Sequence, residues 1–330
     1  MSKLNIIEDS NLVEKLFASA DSEHFTAWNT HPLFGVFGRA LYKAVNDETG
    51  SHTPHYFAVM DENEPLILVP ATSNFENVSS FGLPLTLGLR KGGSPRLWKK
   101  AFAAAFDHLR YIARHNNAPR IKILGGHSNS PLSLTDIACI DQRARPNTHI
   151  HAIVEDVTNE VGVRRQLRDS YRSLVNWGQR QIRPVYVNAT DPSRDNFDAY
   201  RDFHAKVTGS ISHGSAYWDI FWQEIIAGHG ELSLGFLNDG RLATGTLVID
   251  AEETTYYASG VYDRELFDKP LGHFPVFDSI VRSKSRGLKT YDLGEIFPAG
   301  GSSEKEGQIG FFKKGFTSSF RLHTTWTTDV

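Results

Sequence analysis

Residues 231–250 read ELSLGFLNDGRLATGTLVID: two apolar, strand-like runs meeting at Asp239-Gly240. Asp-Gly between such runs is a strong signal for a tight antiparallel hairpin, because the turn needs positive φ. The residues downstream narrow the fold further. TTYYASG (254–260) is rich in β-formers. PLGHFPVFDSIVRSKSRG (270–287) keeps Phe277, Ile280, Val281 and Lys284 at helical spacing and stops at Gly287. KTYDLGE (289–295) is a short strand, EKEGQIGFFKKGF (304–316) a helix and SFRLHTTWTT (319–328) a last strand, with a Gly/Ser-rich loop before the helix. The order is hairpin, strand, helix, strand, helix, strand, which is an α/β arrangement.

A similar order occurs earlier. PHYFAVM and PLILVP (54–60, 65–70) form a hairpin over DENE, and 76–88 give a broken strand. Residues 94–115 form a helix with Trp98, Phe102, Ala105, Phe106 and Leu109 on one face, and PRIKILGG (119–126) is a strand. We read two related α/β units, 1–155 and 156–330, each with a central mixed sheet flanked by helices. Between them lies an arginine-rich helical segment: Arg164, Arg165, Arg168, Arg172, Arg180 and Arg183 face one acid, Asp169. Two further helices come next, the first capped by Asp195 or Asn196.

With 330 residues, the chain is long enough for two cores without covalent staples. The net charge of −3 supplies no global field for DNA, so nucleic-acid contact would need a local patch. A single cysteine, Cys139, excludes an internal disulfide and fits a reducing compartment; in DIACID it has no basic neighbour and reads as buried. No apolar run is long enough to span a membrane and the amino terminus lacks a signal-peptide core, so the expected location is the cytoplasm.

The segments 167–182, 230–249, 256–295 and 305–316 together resemble the FemABX-type branch of the GNAT acyltransferase superfamily. Their order carries the resemblance, clearly over 150–325 and by topology alone before that. The resemblance implies a tandem GNAT fold and transfer of an activated acyl group to an amine, with no tightly bound cofactor. The implied donor is aminoacyl-tRNA or acyl-CoA. The implied acceptor is an anionic, amine-bearing precursor such as a nucleotide-linked sugar, a peptide or a cell-surface building block. The family's Phe-Lys pair falls on Phe312-Lys313, linking Lys313 to the donor or the transfer step. One departure is plain: the segment 261–274 lacks the [Q/R]-x-x-G-x-[G/A] pattern that places backbone N–H groups on the coenzyme A pyrophosphate. Two alternatives stay open: an N-acetyltransferase with a non-standard coenzyme A site, and a catalytically inactive binding module.

Acyl transfer to an amine needs a free amine, a stabilised oxyanion and a proton route, so positioning and electrostatics can suffice without a triad. Lys313 is the candidate for the donor or oxyanion, whereas Lys314 points away and reads as solvated. Asp292 and Glu295 end the strand 289–295; Asp292 either orients and deprotonates the acceptor amine or caps a turn. His273 starts the helix after the strand 254–260 and ranks first among the histidines, ahead of His204 and His213, and no histidine pair has metal spacing backed by Cys or Asp. Tyr256 and Tyr257 alternate, so one of them can line a cleft. Arg168 and Arg172, four apart, would make one anion-holding patch, or pair with surface acids. Trp177 stacks on a ligand ring or fills the core, and Lys305 meets a phosphate or yields to a capping box from Ser302 or Ser303 to Glu306.

Overall fold

The computed structural model describes residues 4–9, 11, 13, 15, 25–26, 31–127, 131–209, 213–297 and 303–330. The chain divides into two compact units: 1–149 with 322–330, and 150–321. The stretch 298–302, expected as a Gly/Ser-rich loop, lies outside the described residues.

Unit 1 holds β1 (Leu4–Ile7), β2 (Phe25–Thr26), α1 (Val36–Thr49), β3 (Thr53–Asp61), β4 (Glu64–Ser73), β5 (Val78–Ser79), β6 (Gly88–Arg90), α2 (Pro95–His115), β7 (Arg120–His127), α3 (Leu134–Asp141) and the start of β8 (Arg145–Val154). The hairpin β3–β4 turns at Glu62, which takes φ 55°. The broken strand is two short pieces, β5 and β6, both paired with β4. Strand β5 joins β7 in parallel, so the sheet is mixed. Helix α2 is capped by Ser94 and lays the expected face, Trp98, Phe102, Phe106 and Leu109, on Phe57, Val59, Ile67 and Ile121. Cys139 is buried in this core, and burial pushes its thiol far up, so it is not a nucleophile at neutral pH.

Unit 2 holds the end of β8, α4 (Glu160–Gln166), α5 (Asp169–Gln181), β9 (Ile182–Val187), α6 (Arg194–Thr208), α7 (Ser215–Ile226), β10 (Gly230–Leu237), β11 (Leu242–Ala251), β12 (Thr254–Tyr262), α8 (His273–Ser283), β13 (Thr290–Ile296), α9 (Glu304–Lys313) and the start of β14 (Ser319–Asp329). Its sheet order is β9-β10-β11-β12-β13-β8. All pairs are antiparallel except β12 with β13. The hairpin β10–β11 turns at Gly240 with φ 85°, as Asp-Gly predicts, and α8 ends at Gly287 with φ 85°.

Two boundaries differ from the sequence-based division. The last five residues of β8, from Ile150, pair with β13 in unit 2, and the part of β14 after Leu322 pairs with β7 in unit 1. Each sheet is completed by a strand whose neighbours in sequence belong to the other unit. The arginine-rich segment is also not one helix. It breaks at Leu167 and Arg168, whose ψ values of 136° and 138° are extended, and it packs within unit 2. The cap of α6 is Ser193, whose hydroxyl accepts from the Asn196 N–H, rather than Asp195 or Asn196.

The break at Arg168 serves the end of α9. A helix leaves its last carbonyls without internal partners. Here Lys314 N–H donates to Gly310, Gly315 N–H and the Tyr171 hydroxyl to Phe312, and Phe316 N–H to Lys313. The Arg168 guanidinium donates to the Phe311 carbonyl, and its own N–H to that of Gly315. Gly315 is required by packing: a Cβ there would lie 2.0 Å from the Tyr171 ring. Tyr171, Phe274, Phe277, Tyr291 and Phe316 form the core beneath.

The Gly315→Ala variant should therefore lose about 1–3 kcal/mol through overpacking. Thermal unfolding checks this; an unchanged midpoint would show that Tyr171 moves aside at no cost.

Candidate functional site

The site grows from the sheet of unit 2. Strands β12 and β13 pair in parallel at Thr254, Thr255 and Tyr256 with Thr290, Tyr291 and Asp292. Beyond that β12 runs to Tyr262 and β13 to Ile296 without a shared ladder. Parallel strands that part in this way leave backbone donors and acceptors along the opening.

At the parting point β13 carries a bulge against β8, between Asp292 and Glu295. Gly294 makes it possible with φ 84°, a left-handed conformation that costs other residues about 1–2 kcal/mol. The turn brings the Gly294 N–H to the Asp292 carboxylate at 2.6 Å. On the adjacent strand, His151 places Nδ1 2.9 Å from the same carboxylate. Both side chains are buried. A buried carboxylate needs such partners, since an unpaired one would cost several kcal/mol.

Lys313, on the last turn of α9, reaches over the bulge. Its ammonium donates to the Glu295 carbonyl at 2.9 Å, and a Cβ on Gly294 would come within 3.0 Å of Nζ. Burial pulls its pKa below the ordinary lysine value, while the charges of Asp292 and Glu295 pull it partly back. Lys314 is exposed, as the helical spacing predicts. The structure thus brings Lys313, Asp292 and the Glu295 backbone together and adds His151. Sequence reasoning missed His151, though its alternation in HIHAIV put two histidines on one face of a strand.

The other candidates form a second group. His273 opens α8 and packs edge-on against Tyr171, with ring centroids 4.4 Å apart, and against Phe312 at 5.3 Å. Burial pulls its pKa down; the Pro270 carbonyl opposes this and Arg168 adds to it, so the ring is neutral at pH 7. Phe312 lies between His273 and Tyr262. The Tyr262 and Tyr257 hydroxyls are 2.8 Å apart, and burial with this neighbour pushes the Tyr257 phenol up, so it stays protonated. Phe311 is 60% exposed, with the Arg168 guanidinium 3.9 Å from its ring centroid.

Arg168 and Arg172 do not share one patch. Arg168 is held by α9, and Arg172 is an exposed side chain near Asp169 at 3.3 Å and the Arg165 carbonyl. Trp177 is half-buried against the core of unit 2, and Lys305 is exposed on the first turn of α9. There the capping box expected of Ser303 and Glu306 is present. His204 packs beside Trp218 on α7, and His213 stacks on Tyr217.

No protein-family model matches the sequence, and no curated protein is significantly similar to it. Solved structures are similar in fold. FemX superposes with a TM-score of 0.62 at 15% identity over 97% of this chain and 96% of its own. L-PGS from Bacillus licheniformis gives 0.60 at 12% identity, over 97% of this chain and 91% of its own. A tandem GNAT protein from the clavulanic acid biosynthesis pathway gives 0.58 at 12% identity, over 99% and 98%. Coverage of nearly the whole chain in each case, with two mixed α/β units, means that this protein has a FemABX-like tandem GNAT fold.

Proposed function

We propose that this protein is an acyl- or aminoacyltransferase that forms an amide on the amine of an anionic acceptor. The observation that carries the proposal is Lys313, held with a depressed pKa over the Gly294 bulge where β12 and β13 part. The fold shared with FemX and L-PGS agrees with it. The open strand edges leave backbone N–H and C=O groups to which a bound substrate can add its own hydrogen bonds.

In this reading the acceptor nitrogen attacks the donor's ester or thioester carbonyl. A new C–N bond forms, the C–O or C–S bond breaks, and the leaving oxygen or sulfur takes up a proton. Lys313 stabilises the oxyanion as a point charge or holds the donor. Asp292 orients the acceptor amine and accepts its proton, and His151 fixes the carboxylate for that task. Aminoacyl-tRNA is the first candidate donor, because the coenzyme A pattern is missing from 261–274. Acyl-CoA is the second. Tyr257, Phe312 and His273 line the acyl end in this reading, and Glu295 contributes its carbonyl. Arg168, Arg172, Trp177 and Lys305 play no direct part in it.

Mass spectrometry of reactions with charged tRNA or acyl-CoA and an amine-bearing nucleotide sugar or peptide tests the proposal. A product with the acyl mass shift is expected, and Lys313→Ala should lower kcat/KM by about 100- to 1,000-fold. No product with either donor, or full activity in Lys313→Ala, would overturn it.

The pH profile offers a separate check. If the Lys313 cation acts, activity is held below its depressed pKa and lost as pH rises through it, earlier than for an ordinary lysine. Lys313→Arg should move this alkaline limb upward. A limb that stays in place in that variant would point to another group.

Removing His151 leaves the buried Asp292 short of a partner. His151→Ala should reduce stability by about 1–3 kcal/mol and slow turnover, while His151→Asn, which keeps a donor, should recover part of both. Thermal unfolding beside kcat separates the two effects; equal loss in both variants would make the ring itself the requirement.

A further inference from the structure

We propose that unit 1 carries a separate binding site for a phosphate-bearing ligand, on the open side of its sheet. In β7, Ile121 and Ile123 point into the core beneath α2, so Arg120 and Lys122 point the other way. In β14, Trp326 and Thr328 are buried and Thr327 faces out. Arg145, Pro146 and Asn147 of β8 complete a concave surface of about 310 Å³ with Arg120, Lys122 and Thr327.

Every polar side chain in this lining can donate: two guanidiniums, an ammonium, an amide and a hydroxyl. Among the described residues no acid lines the cavity. Asp329, beside it, is taken by Arg145 at 2.7 Å. Arg120 and Lys122 make no side-chain hydrogen bond or ion pair among the described residues. Some other cations of unit 1 are paired along their own elements or across strands: Lys43 with Asp47, Arg90 with Glu64 and Arg110 with Asp107. In a chain with a net charge of −3, three basic side chains lining one concavity make a local positive region. Strands fix their backbones, which lowers the ordering cost of binding. Arginine provides a fork for two phosphate oxygens and lysine a movable point charge, a combination that suits phosphate more than carboxylate. The phosphates can belong to a small diphosphate or to an RNA backbone. The site involves none of the groups assigned to acyl transfer.

The test uses the full chain, with calorimetric titration of inorganic pyrophosphate and fluorescence titration of an unstructured ten-nucleotide RNA. Binding of at least one probe is expected, with an affinity that falls as salt rises. The double variant Arg120→Gln/Lys122→Gln should weaken it by about tenfold or more, whereas Lys43→Gln should leave it unchanged. Pyrophosphate bound as well as RNA assigns a small ligand; RNA alone assigns the polymer. Binding of neither probe, or binding equal in the double variant and the parent, would overturn the proposal. Both substituted side chains face outward, and matching thermal midpoints check that the variant folds.

Discussion

The candidate site depends on one backbone event, the left-handed turn at Gly294. Without it β13 would continue flat, the Asp292 carboxylate would lose its N–H donor, and a side chain would stand where the Lys313 ammonium passes. The bulge settles several things together. It ends the pairing of β13 with β12, holds the acid by its own backbone, and leaves the Glu295 carbonyl to the lysine. Bulges commonly re-aim side chains in this manner. Here the re-aimed group is a buried carboxylate whose charge acts on the desolvated Lys313 cation, an attraction that low dielectric strengthens.

The lysine in turn is only as well placed as the end of α9, and that explains the arginine-rich segment. A cation at a helix N-cap opposes the macrodipole, so Arg168 is poorly placed for α5 itself. Asp169 on the first turn offsets this. What holds Arg168 there is its fit to another helix: it donates to the Phe311 carbonyl, stacks on the Phe311 ring, and receives help from Tyr171 on the next carbonyl. Arg164 stacks on Phe277 and Arg183 on Phe236. A run that suggested an anion partner is in large part a set of planar cations covering aromatic rings, each worth about 0.5–2 kcal/mol.

The sequence made the periodic features legible. The apolar face of α2, the Asp-Gly hairpin, the Gly287 stop and the capping box at Ser303 all rest on local chemistry, and all stand in the structure. The separation of Lys313 from Lys314 was likewise a matter of helical angle. What escaped is non-local. His151 meets Asp292 across 141 positions, through a register between β8 and β13 that no pattern near either residue encodes. The exchange of the last strands between sheets, which displaces the expected boundary at 155, has the same origin. Gly294 was visible as an isolated glycine in a strand, a known sign of a bulge, yet its consequence appears only once Lys313 is laid over it.

The start of α8 bears on the choice of donor. In a helix that receives a pyrophosphate, the first N–H groups must face open space. Gly272, at the N-cap of α8, is buried instead, and even a Cβ there would come within 3.0 Å of the Tyr262 ring and 3.1 Å of Phe312. His273 comes next, packed on Tyr171 and Phe312. This end of the helix is closed by the aromatic rings that bind α9 to the core, so a phosphate could reach it only by displacing the side chains that position Lys313. The missing glycine pattern in 261–274 and this crowding are one fact seen twice: where backbone amides would be needed, the chain has placed rings. A ligand that must lay its pyrophosphate on backbone amides is therefore a poor match to this end of the helix.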